Sequence, residues 1–236
     1  MSHPAPFSKE ILAQLSALTK DWEGPILDPY AGTGLIHEMG RDDTWGIEIE
    51  EPWAKMHERT AWGDSTTLTV APLNPENVSV NGGRSFLPRP HAIVTSPDYG
   101  NRFADNYLGT QAEQAERAAT GKHPRRRGYA LSLNRPVTPG NGAGHYFWSP
   151  EYKRIHSDVA IAVTRVMLRP ANLALNVSNL FHDGIEHPVV SWWVANFGQR
   201  GWVMVDGVPV KTKRYKDGAN REARPSSEWI IHMRLP

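Results

Sequence analysis

The stretch Pro25-Ile26-Leu27-Asp28-Pro29-Tyr30-Ala31-Gly32-Thr33-Gly34 decides the predicted fold, because a short apolar strand runs there directly into a glycine-rich turn. Glycine lets the backbone turn sharply and approach a ligand without a side-chain clash. In open parallel sheets, ligands bind where such a turn joins a strand to the next helix. The carboxylate of Asp28 would repel a pyrophosphate but suits a cationic ligand. The stretch therefore predicts a binding loop for a positively charged molecule, although a glycine-rich turn alone is also a common structural turn.

Around this stretch, hydrophobic periodicity predicts strands and helices in alternation. Helices are predicted near residues 9–20, 35–39, 52–61, 111–119, 150–169 and 188–201, the first of them capped by Ser8. Strands are predicted near residues 25–27, 45–49, 92–95, 173–177 and 229–235, with a hairpin at 202–213 that turns at Asp206 and Gly207. Residues 72–90 are predicted to be a long irregular connection. The pattern indicates an α/β fold with a mostly parallel sheet, helices on both faces and an antiparallel end.

The composition limits the classes of protein to consider. With 236 residues and 39% hydrophobic content, the chain is predicted to form a single domain over residues 1–236, with an irregular insert at about 102–148. The absence of cysteine excludes disulfides, thiolate metal sites and a cysteine nucleophile. The ten histidines show no metal-ligand spacing, so no metal is expected. Without a long apolar run or a secretion signal, we expect a soluble cytoplasmic protein with no membrane partner.

Two acids follow the glycine turn at informative positions. Glu48 ends the predicted second strand, with Ile49 beside it, about where an acid accepts hydrogen bonds from both hydroxyls of a ribose. Asp64 follows a possible third strand and could accept a hydrogen bond from an adenine amino group. Taken alone, an acid such as Asp64 is more often a turn or cap residue.

The stretch Thr95-Ser96-Pro97-Asp98-Tyr99 narrows the function, because it directly follows the predicted strand 92–95. Together with the glycine turn and Glu48, it resembles the Class I S-adenosylmethionine-dependent methyltransferases, and among them the small phage and bacterial amino-methyltransferases of DNA. Their catalytic tetrapeptide has a Ser-Pro-Pro-Tyr form, and Asp98 stands where the second proline is usual. The resemblance implies a Rossmann-like, seven-stranded sheet and a site-specific DNA-methyltransferase.

The resemblance also implies roles for individual residues. Ser96 and the carbonyl of Pro97 would accept hydrogen bonds from the target amine, Tyr99 would stack on a base flipped out of the duplex, and Asp98 would lie near the substrate. The serine form favours cytosine N4 slightly over adenine N6. The cofactor would be S-adenosyl-L-methionine, and the residues expected to hold it are Phe7, Ser8, Asp28, Tyr30, Ala31, Gly32, Gly34, Glu48, Ile49, Asp64 and Ser96.

The candidates for nucleic-acid contact are basic residues in two runs, at 122–127 and at 211–224. Such runs are usually only solvated surface. Tyr129, Tyr146 and Trp148 are near the first run, and basic and aromatic residues together can bind phosphates and unstacked bases. The residues expected to contact DNA are Arg102, Arg125, Arg126, Arg127, Lys211, Arg214 and Arg224. The segment 176–179 matches the position of an element that shapes the base pocket in the family.

Three other interpretations stay open at this stage. An RNA base is the nearest alternative substrate, since exposed bases in RNA suit the same chemistry. A non-catalytic module that binds S-adenosylmethionine or nucleic acid is a second alternative. A nicotinamide enzyme is disfavoured, because the turn begins with an acid and lacks the spacing of the dinucleotide fingerprint. The target sequence and the oligomeric state do not follow from these residues. The resemblance would place the protein in the cytoplasm of a bacterial cell or a phage-infected host.

Overall fold

The computed structural model of the chain describes residues 8–97, 119, 148–182, 185–211 and 227–236. Most of the predicted insert and the helix predicted at 111–119, apart from residue 119, lie outside the described residues. The site residues predicted above that also lie outside them are Phe7, Asp98, Tyr99, Arg102, Arg125, Arg126, Arg127, Arg214 and Arg224.

A seven-stranded sheet forms the centre of the described part of the chain. Its strands are β1 (Ile26–Asp28), β2 (Thr44–Glu48), β3 (Thr60–Trp62), β7 (Ala92–Thr95), β8 (Ala171–Val177), β11 (Val203–Lys211) and β12 (Ser227–Leu235). Their order across the sheet is β3-β2-β1-β7-β8-β12-β11. The first five pair in parallel, and β12 pairs antiparallel with both β8 and β11. The predicted Rossmann-like, mostly parallel sheet with an antiparallel C-terminal pair is confirmed.

The strand order reverses between β1 and β7. From β1 the chain proceeds outward to β2 and β3, and it then returns to place β7 on the other side of β1. The carboxyl ends of β1 and β7 consequently lie side by side at the point where the strand order reverses. Ligands of open α/β sheets bind at such a switch point.

Helices cover both faces of the sheet, and the alternation of side chains along each strand explains how. On one face, Leu27, Ile93 and Leu173 pack with helices α3 (Pro150–Val166) and α4 (Val189–Gly198). On the other face, Ile26 and Val94 pack with helix α1 (Lys9–Thr19). Neighbouring residues of one strand thus pack into the apolar cores on opposite faces of the sheet, as expected for strands that are buried on both faces.

Polar caps fix the beginnings of the two long helices that the sequence predicted well. The hydroxyl of Ser8 accepts a hydrogen bond from the backbone N–H of Ile11, and that of Ser149 accepts one from Tyr152, both at 3.2 Å. Each bond satisfies one N–H that a first helical turn leaves unpaired. In the described ranges, no helix combines the length and the apolar character that crossing a bilayer would require.

The prediction that residues 72–90 are irregular is wrong. This region contributes to a small antiparallel sheet of β4 (Thr69–Val70), β5 (Asn77–Val80) and β6 (Ser85–Pro88). Val78, Val80 and Leu87 of this sheet are buried in the core under α3. The sequence pattern did not indicate these strands, because proline and asparagine occupy their turns and ends. Each strand is also too short to display a clear alternation of apolar and polar residues.

The hairpin predicted at 202–213 is also wrong. β11 continues through Asp206 and Gly207 as one strand, paired along its length with β12. The pairing register shifts between Met204 and Asp206, so the Asp-Gly pair marks an irregularity and not a turn. An Asp-Gly pair indicates a hairpin only when the two flanking segments have no better partner.

Other elements differ from the prediction in length or are new. The helix predicted at 52–61 ends early as α2 (Glu51–Ala54), and Thr60 begins β3. Residues Leu35–Met39 form a 3₁₀ helix, and a second 3₁₀ helix spans Ser65–Thr67. A two-stranded antiparallel sheet, β9 (Leu180–His182) with β10 (Ile185–His187), precedes α4 and was not predicted.

The core assignment predicts a stability difference between two leucines. Leu173 of β8 is completely buried and Leu73 is completely exposed. Leu173→Ala should lower the free energy of unfolding by about 2–5 kcal/mol, because it removes buried methyl groups and leaves a cavity. Leu73→Ala makes the same chemical change and should leave that free energy within about 0.5 kcal/mol of its original value. Urea denaturation measures both, and equal effects would contradict the assignment of this face.

Candidate active site

The carboxyl ends of β1 and β7 are joined by one buried hydrogen bond. The hydroxyl of Thr95, the last residue of β7, donates to Oδ1 of Asp28, the last residue of β1, at 2.6 Å. The backbone N–H of Tyr30 donates to the same oxygen at 2.9 Å. Asp28 and Thr95 are each only 1% exposed. The predicted cofactor loop and the predicted catalytic loop therefore leave the sheet side by side.

Burial changes the acidity of Asp28. Removal from water raises the pKa of Asp28 from 3.8 to about 6, while the hydrogen bonds from Thr95 and Tyr30 lower it. Desolvation dominates because a charged carboxylate loses much more hydration than two donors replace. The carboxyl of Asp28 consequently changes its charge just below neutral pH.

The glycines of the first loop adopt backbone conformations that other residues avoid. The φ angles of Gly32 and Gly34 are +54° and +84°. A Cβ at Gly34 would come within 3.0 Å of both His37 and His57, so that position has neither the conformation nor the space for a side chain. The N–H of Gly34 donates to the carbonyl of Ala31 at 2.8 Å, which closes the turn. The loop is thereby held close to the end of β1.

Glu48, at the end of β2, holds this loop from the other side. Its Oε2 accepts from the N–H of Gly32 and its Oε1 from the N–H of Glu50, both at 2.8 Å. Burial raises the pKa of Glu48 to about 7; these two bonds lower it, and the charges of Glu50 and Asp28 raise it further. A carboxylate has about four acceptor positions, so two remain for hydroxyls of a ligand. The sequence predicted only the ligand role and missed the bond to Gly32.

The neighbours of Glu48 at this edge are Ile49 and Trp62. Trp62 ends β3 directly beside Glu48 in the strand register, and it is 50% exposed although it is large and apolar. Its indole N–H donates to the carbonyl of Ile49 at 3.1 Å, which fixes the ring at the edge of the site. The sequence did not single out Trp62.

Asp64 acts as a cap in this structure. Its Oδ1 accepts from the backbone N–H and the hydroxyl of Thr66, at 2.9 and 2.8 Å, at the start of the second 3₁₀ helix. The adjacent Ser65 donates to the carbonyl of Pro29 at 2.7 Å, so the third loop is tied to the first. These contacts support the cap role, which the sequence also allowed for Asp64.

Tyr30 links the first loop to helix α3. Its hydroxyl lies 2.6 Å from Nδ1 of His156, which is completely buried. Burial lowers the pKa of His156 to about 3, so this imidazole is neutral at ordinary pH. The rings of Tyr152 and Trp193 pack against it, with centroids 4.2 and 4.9 Å away. The sequence placed Tyr30 at the cofactor but did not identify its partner.

The second loop is also anchored by a polar contact. Nδ2 of Asn176, on β8, donates to Oγ of Ser96 at 3.2 Å and to Oε2 of Glu228 on β12 at 2.8 Å. Pro97, the last residue of this loop that the structure describes, is buried. Asn176 begins the segment 176–179, and the role of that segment in shaping a base pocket stays a prediction.

Two of the predicted site residues lie outside the group at the ends of β1, β2 and β7. Ser8 caps α1, and Lys211 is exposed at the end of β11, paired in register with Ser227. Among the predicted residues that the structure describes, it brings together Asp28, Tyr30, Ala31, Gly32, Gly34, Glu48, Ile49, Asp64, Ser96 and Pro97 at the carboxyl edge of the sheet. Thr95, His156, Trp62 and Glu228 join them without having been predicted, because side chains that bond across strands carry no local sequence signal.

A cleft of about 190 Å³ lies elsewhere, between α1 and the strands β11 and β12. Its walls include Gln14, Leu18, Asp206 and His232. None of the residues predicted to bind cofactor or substrate is among those that line it. We therefore place the candidate site at the switch point on the basis of its buried acids and glycine turn.

The raised pKa of Asp28 predicts a pH-dependent stability. Because the folded pKa is above the ordinary value, the stabilising contribution is fully present below pH 3.8 and is lost as the pH rises through about 6. Relative to Asp28→Asn, the wild-type chain should lose about 2 kcal/mol of unfolding free energy between pH 4 and pH 7.

Thr95→Val provides the second variant for this measurement. Without the Thr95 hydroxyl, the pKa of Asp28 should rise further. The pH range over which stability is lost should therefore move to higher pH. Urea denaturation across the pH range gives each difference. A difference between wild type and Asp28→Asn that stays constant from pH 4 to pH 7 would show that Asp28 is not buried as described.

Comparisons with known proteins give similarity at the level of fold. No protein-family model and no curated protein matches the chain. Among solved structures, precorrin-6y C5,15-methyltransferase from Geobacter metallireducens is 11% identical with a TM-score of 0.49, and the alignment covers 99% of this chain and 92% of that one. N-methyltransferase NodS from Bradyrhizobium japonicum is 8% identical with a TM-score of 0.48, covering 97% and 94%. TrmN from Thermus thermophilus is 10% identical with a TM-score of 0.46, covering 96% and 49%. At these identities the likeness concerns the fold alone.

Proposed function

We propose that the chain is an S-adenosylmethionine-dependent methyltransferase that acts on an exocyclic amino group of a nucleic-acid base, most readily a base of DNA. The observation that carries the proposal is the bond between Thr95 and Asp28 at 2.6 Å. It brings the start of the cofactor loop next to Ser96, so a methyl donor and an amine acceptor held by these loops would meet in one crevice. Methyl transfer requires such proximity, because the donor carbon and the attacking nitrogen must be in line.

The charge of the site suits this cofactor. S-adenosylmethionine carries an ammonium and a sulfonium, and the two buried acids Asp28 and Glu48 offer negative charge on either side of the glycine turn. The left-handed backbone at Gly32 and Gly34 keeps this loop tight at the end of β1, between the two acids. The same acids would repel the pyrophosphate of a nicotinamide dinucleotide, which disfavours that alternative.

The adenosine part of the cofactor would lie at the ends of β2 and β3. The acceptor positions of Glu48 that Gly32 and Glu50 leave open suit the ribose hydroxyls. The apolar side chain of Ile49 and the half-exposed indole of Trp62 would contact the adenine ring. Asp64, engaged as a cap, would contribute mainly by shaping the loop.

The reaction that we propose needs orientation more than activation. S-adenosylmethionine supplies a methyl carbon bonded to a positively charged sulfur. The lone pair of the target nitrogen would form the new N–C bond while the C–S electron pair stays with sulfur, and the nitrogen would release one proton to water. Ser96 Oγ and the carbonyl of Pro97 would accept hydrogen bonds from the amine and direct its lone pair toward the methyl carbon. Asp98 and Tyr99, which follow in the chain, belong to the proposal through the resemblance of the tetrapeptide.

A nucleic-acid substrate is supported by side chains at the same edge of the sheet. Helix α3 ends near the start of β7, where Arg89 bonds to the carbonyl of Val166 at 2.9 Å. Its N-terminal end, with Trp148 and Lys153, therefore lies toward the carboxyl edge, and the ammonium of Lys153 is 4.6 Å from the centre of the Trp148 ring. A cation beside an aromatic ring suits an unstacked base and its phosphate. The predicted basic residues Lys211, Arg125, Arg126 and Arg127 would add phosphate contacts.

A direct test measures methyl transfer from labelled S-adenosylmethionine to DNA and to RNA, followed by mass spectrometry of the nucleosides. We expect N4-methylcytosine or N6-methyladenine in DNA. Ser96→Ala should lower kcat on the order of 100-fold, because the amine loses an acceptor that orients it. The affinity for the cofactor, measured by calorimetry, should change much less.

Ser85→Ala, on β6, makes the same chemical change outside the loops that follow β1 and β7 and should retain the wild-type kcat. Methylation found in RNA alone would identify an RNA enzyme. Cofactor binding without transfer to either nucleic acid would indicate a non-catalytic module, and no binding of the cofactor would refute the whole proposal.

A further inference from the structure

Three polar side chains from three strands meet beside the second loop. Ser96 follows β7, Asn176 belongs to β8, and Glu228 lies at the start of β12. One amide nitrogen, Nδ2 of Asn176, lies 3.2 Å from Ser96 Oγ and 2.8 Å from Glu228 Oε2. Asn176 is 2% exposed, so its amide is held inside the protein and not in water.

The chemistry of Glu228 determines which way this amide faces. An ionised carboxylate only accepts hydrogen bonds, so the atom of Asn176 that faces it must be the NH₂ group and not the oxygen. The reversed amide would place two acceptor oxygens against each other in a buried position, which is costly. The bond to a charged acceptor is also stronger than one between neutral groups.

The same orientation determines how Ser96 is used. Because both hydrogens of the Asn176 amide are directed, one to Glu228 and one to Ser96, the serine oxygen receives a hydrogen bond from the protein. That contact fixes the position of Oγ just after the end of β7, one residue beyond Thr95, whose own hydroxyl bonds to Asp28. An acceptor held in place orients an amine better than a serine that rotates freely.

We infer that Glu228 is a positioning residue for methyl transfer, which acts by orienting the Asn176 amide so that it donates to Ser96 and holds the serine oxygen toward the target amine. This inference rests on the proposed function and adds to it a residue from β12, a strand that the tetrapeptide and the cofactor loop do not include. A purely structural brace between β8 and β12 is the competing explanation.

The chain provides a matched control for Glu228. Nδ2 of Asn179 donates to Oε1 of Glu186 at 2.7 Å, so the protein contains a second Asn–Glu pair. Glu186 is exposed and has no contact with Ser96 among the described bonds. Glu228→Gln and Glu186→Gln thus make the same chemical change, one in a pair with a buried asparagine and one in an exposed pair, and among the described bonds only the first pair contacts the second loop.

The experiment compares these two variants under the methyl-transfer assay, with kcat, the KM for S-adenosylmethionine and the melting temperature as readouts. A glutamine can present either its oxygen or its nitrogen, so Glu228→Gln no longer fixes the Asn176 amide. We expect kcat to fall about tenfold, with the KM for the cofactor and the melting temperature close to wild type. Glu186→Gln should keep the wild-type kcat.

A second pair of variants separates positioning from bracing. Asn176→Asp places two carboxylates together and should lower both the melting temperature and kcat. The double variant Asn176→Asp with Glu228→Gln restores a donor–acceptor pair, but it presents to Ser96 an oxygen that only accepts. It should regain the melting temperature and not kcat.

Two results would overturn the inference: equal kcat values for Glu228→Gln and Glu186→Gln, or recovery of kcat together with the melting temperature in the double variant. A double variant that stays unstable leaves the first comparison decisive. A wild-type chain that transfers no methyl group to DNA or RNA would refute the proposed function, and with it this role for Glu228; the wild-type baseline distinguishes that failure from the other two.

Discussion

The hydrogen bond between Thr95 and Asp28 is the contact on which the candidate site depends. It exists because β1 and β7 are adjacent parallel strands, and that adjacency follows from the reversal of strand order between them. The residues from which the two loops start cannot separate while the bond is intact. The sheet therefore positions the first residues of both loops before a ligand binds.

The buried acids introduce an energetic cost that the fold offsets locally. Asp28 and Glu48 each accept two hydrogen bonds, yet burial still raises their pKa values to about 6 and 7. Such groups are destabilising when charged and lack a counterion among their described partners. A cationic ligand would supply that counterion, so the same carboxyls that weaken the folded chain at neutral pH would strengthen its binding of S-adenosylmethionine. Binding of a cation thus gives a reason for acids at these two positions, beyond the hydrogen bonds that they accept within the protein.

The sequence predicted the framework well where local patterns are strong. The glycine turn, the Ser8 cap and the long helix after Ser149 follow from residue spacing, and the alternation of elements predicts the sheet. Prediction was wrong where the partner decides the structure. Asp206 and Gly207 have the sequence of a turn, but β12 pairs with β11 on both sides of them and the strand continues. Contacts such as Tyr30 with His156 join residues that are 126 positions apart, and no local pattern reports them.

The central claim is that a cofactor bound at the glycine turn and an amine bound at Ser96 share one crevice. A crystal structure of the chain with S-adenosylhomocysteine, the product of the proposed reaction, tests this claim most directly. The account predicts that the ribose of the ligand contacts Glu48 and that its sulfur lies between Gly32 and Ser96. A ligand found instead in the cleft lined by Gln14 and His232, or a sulfur separated from Ser96 by the body of the sheet, would contradict it.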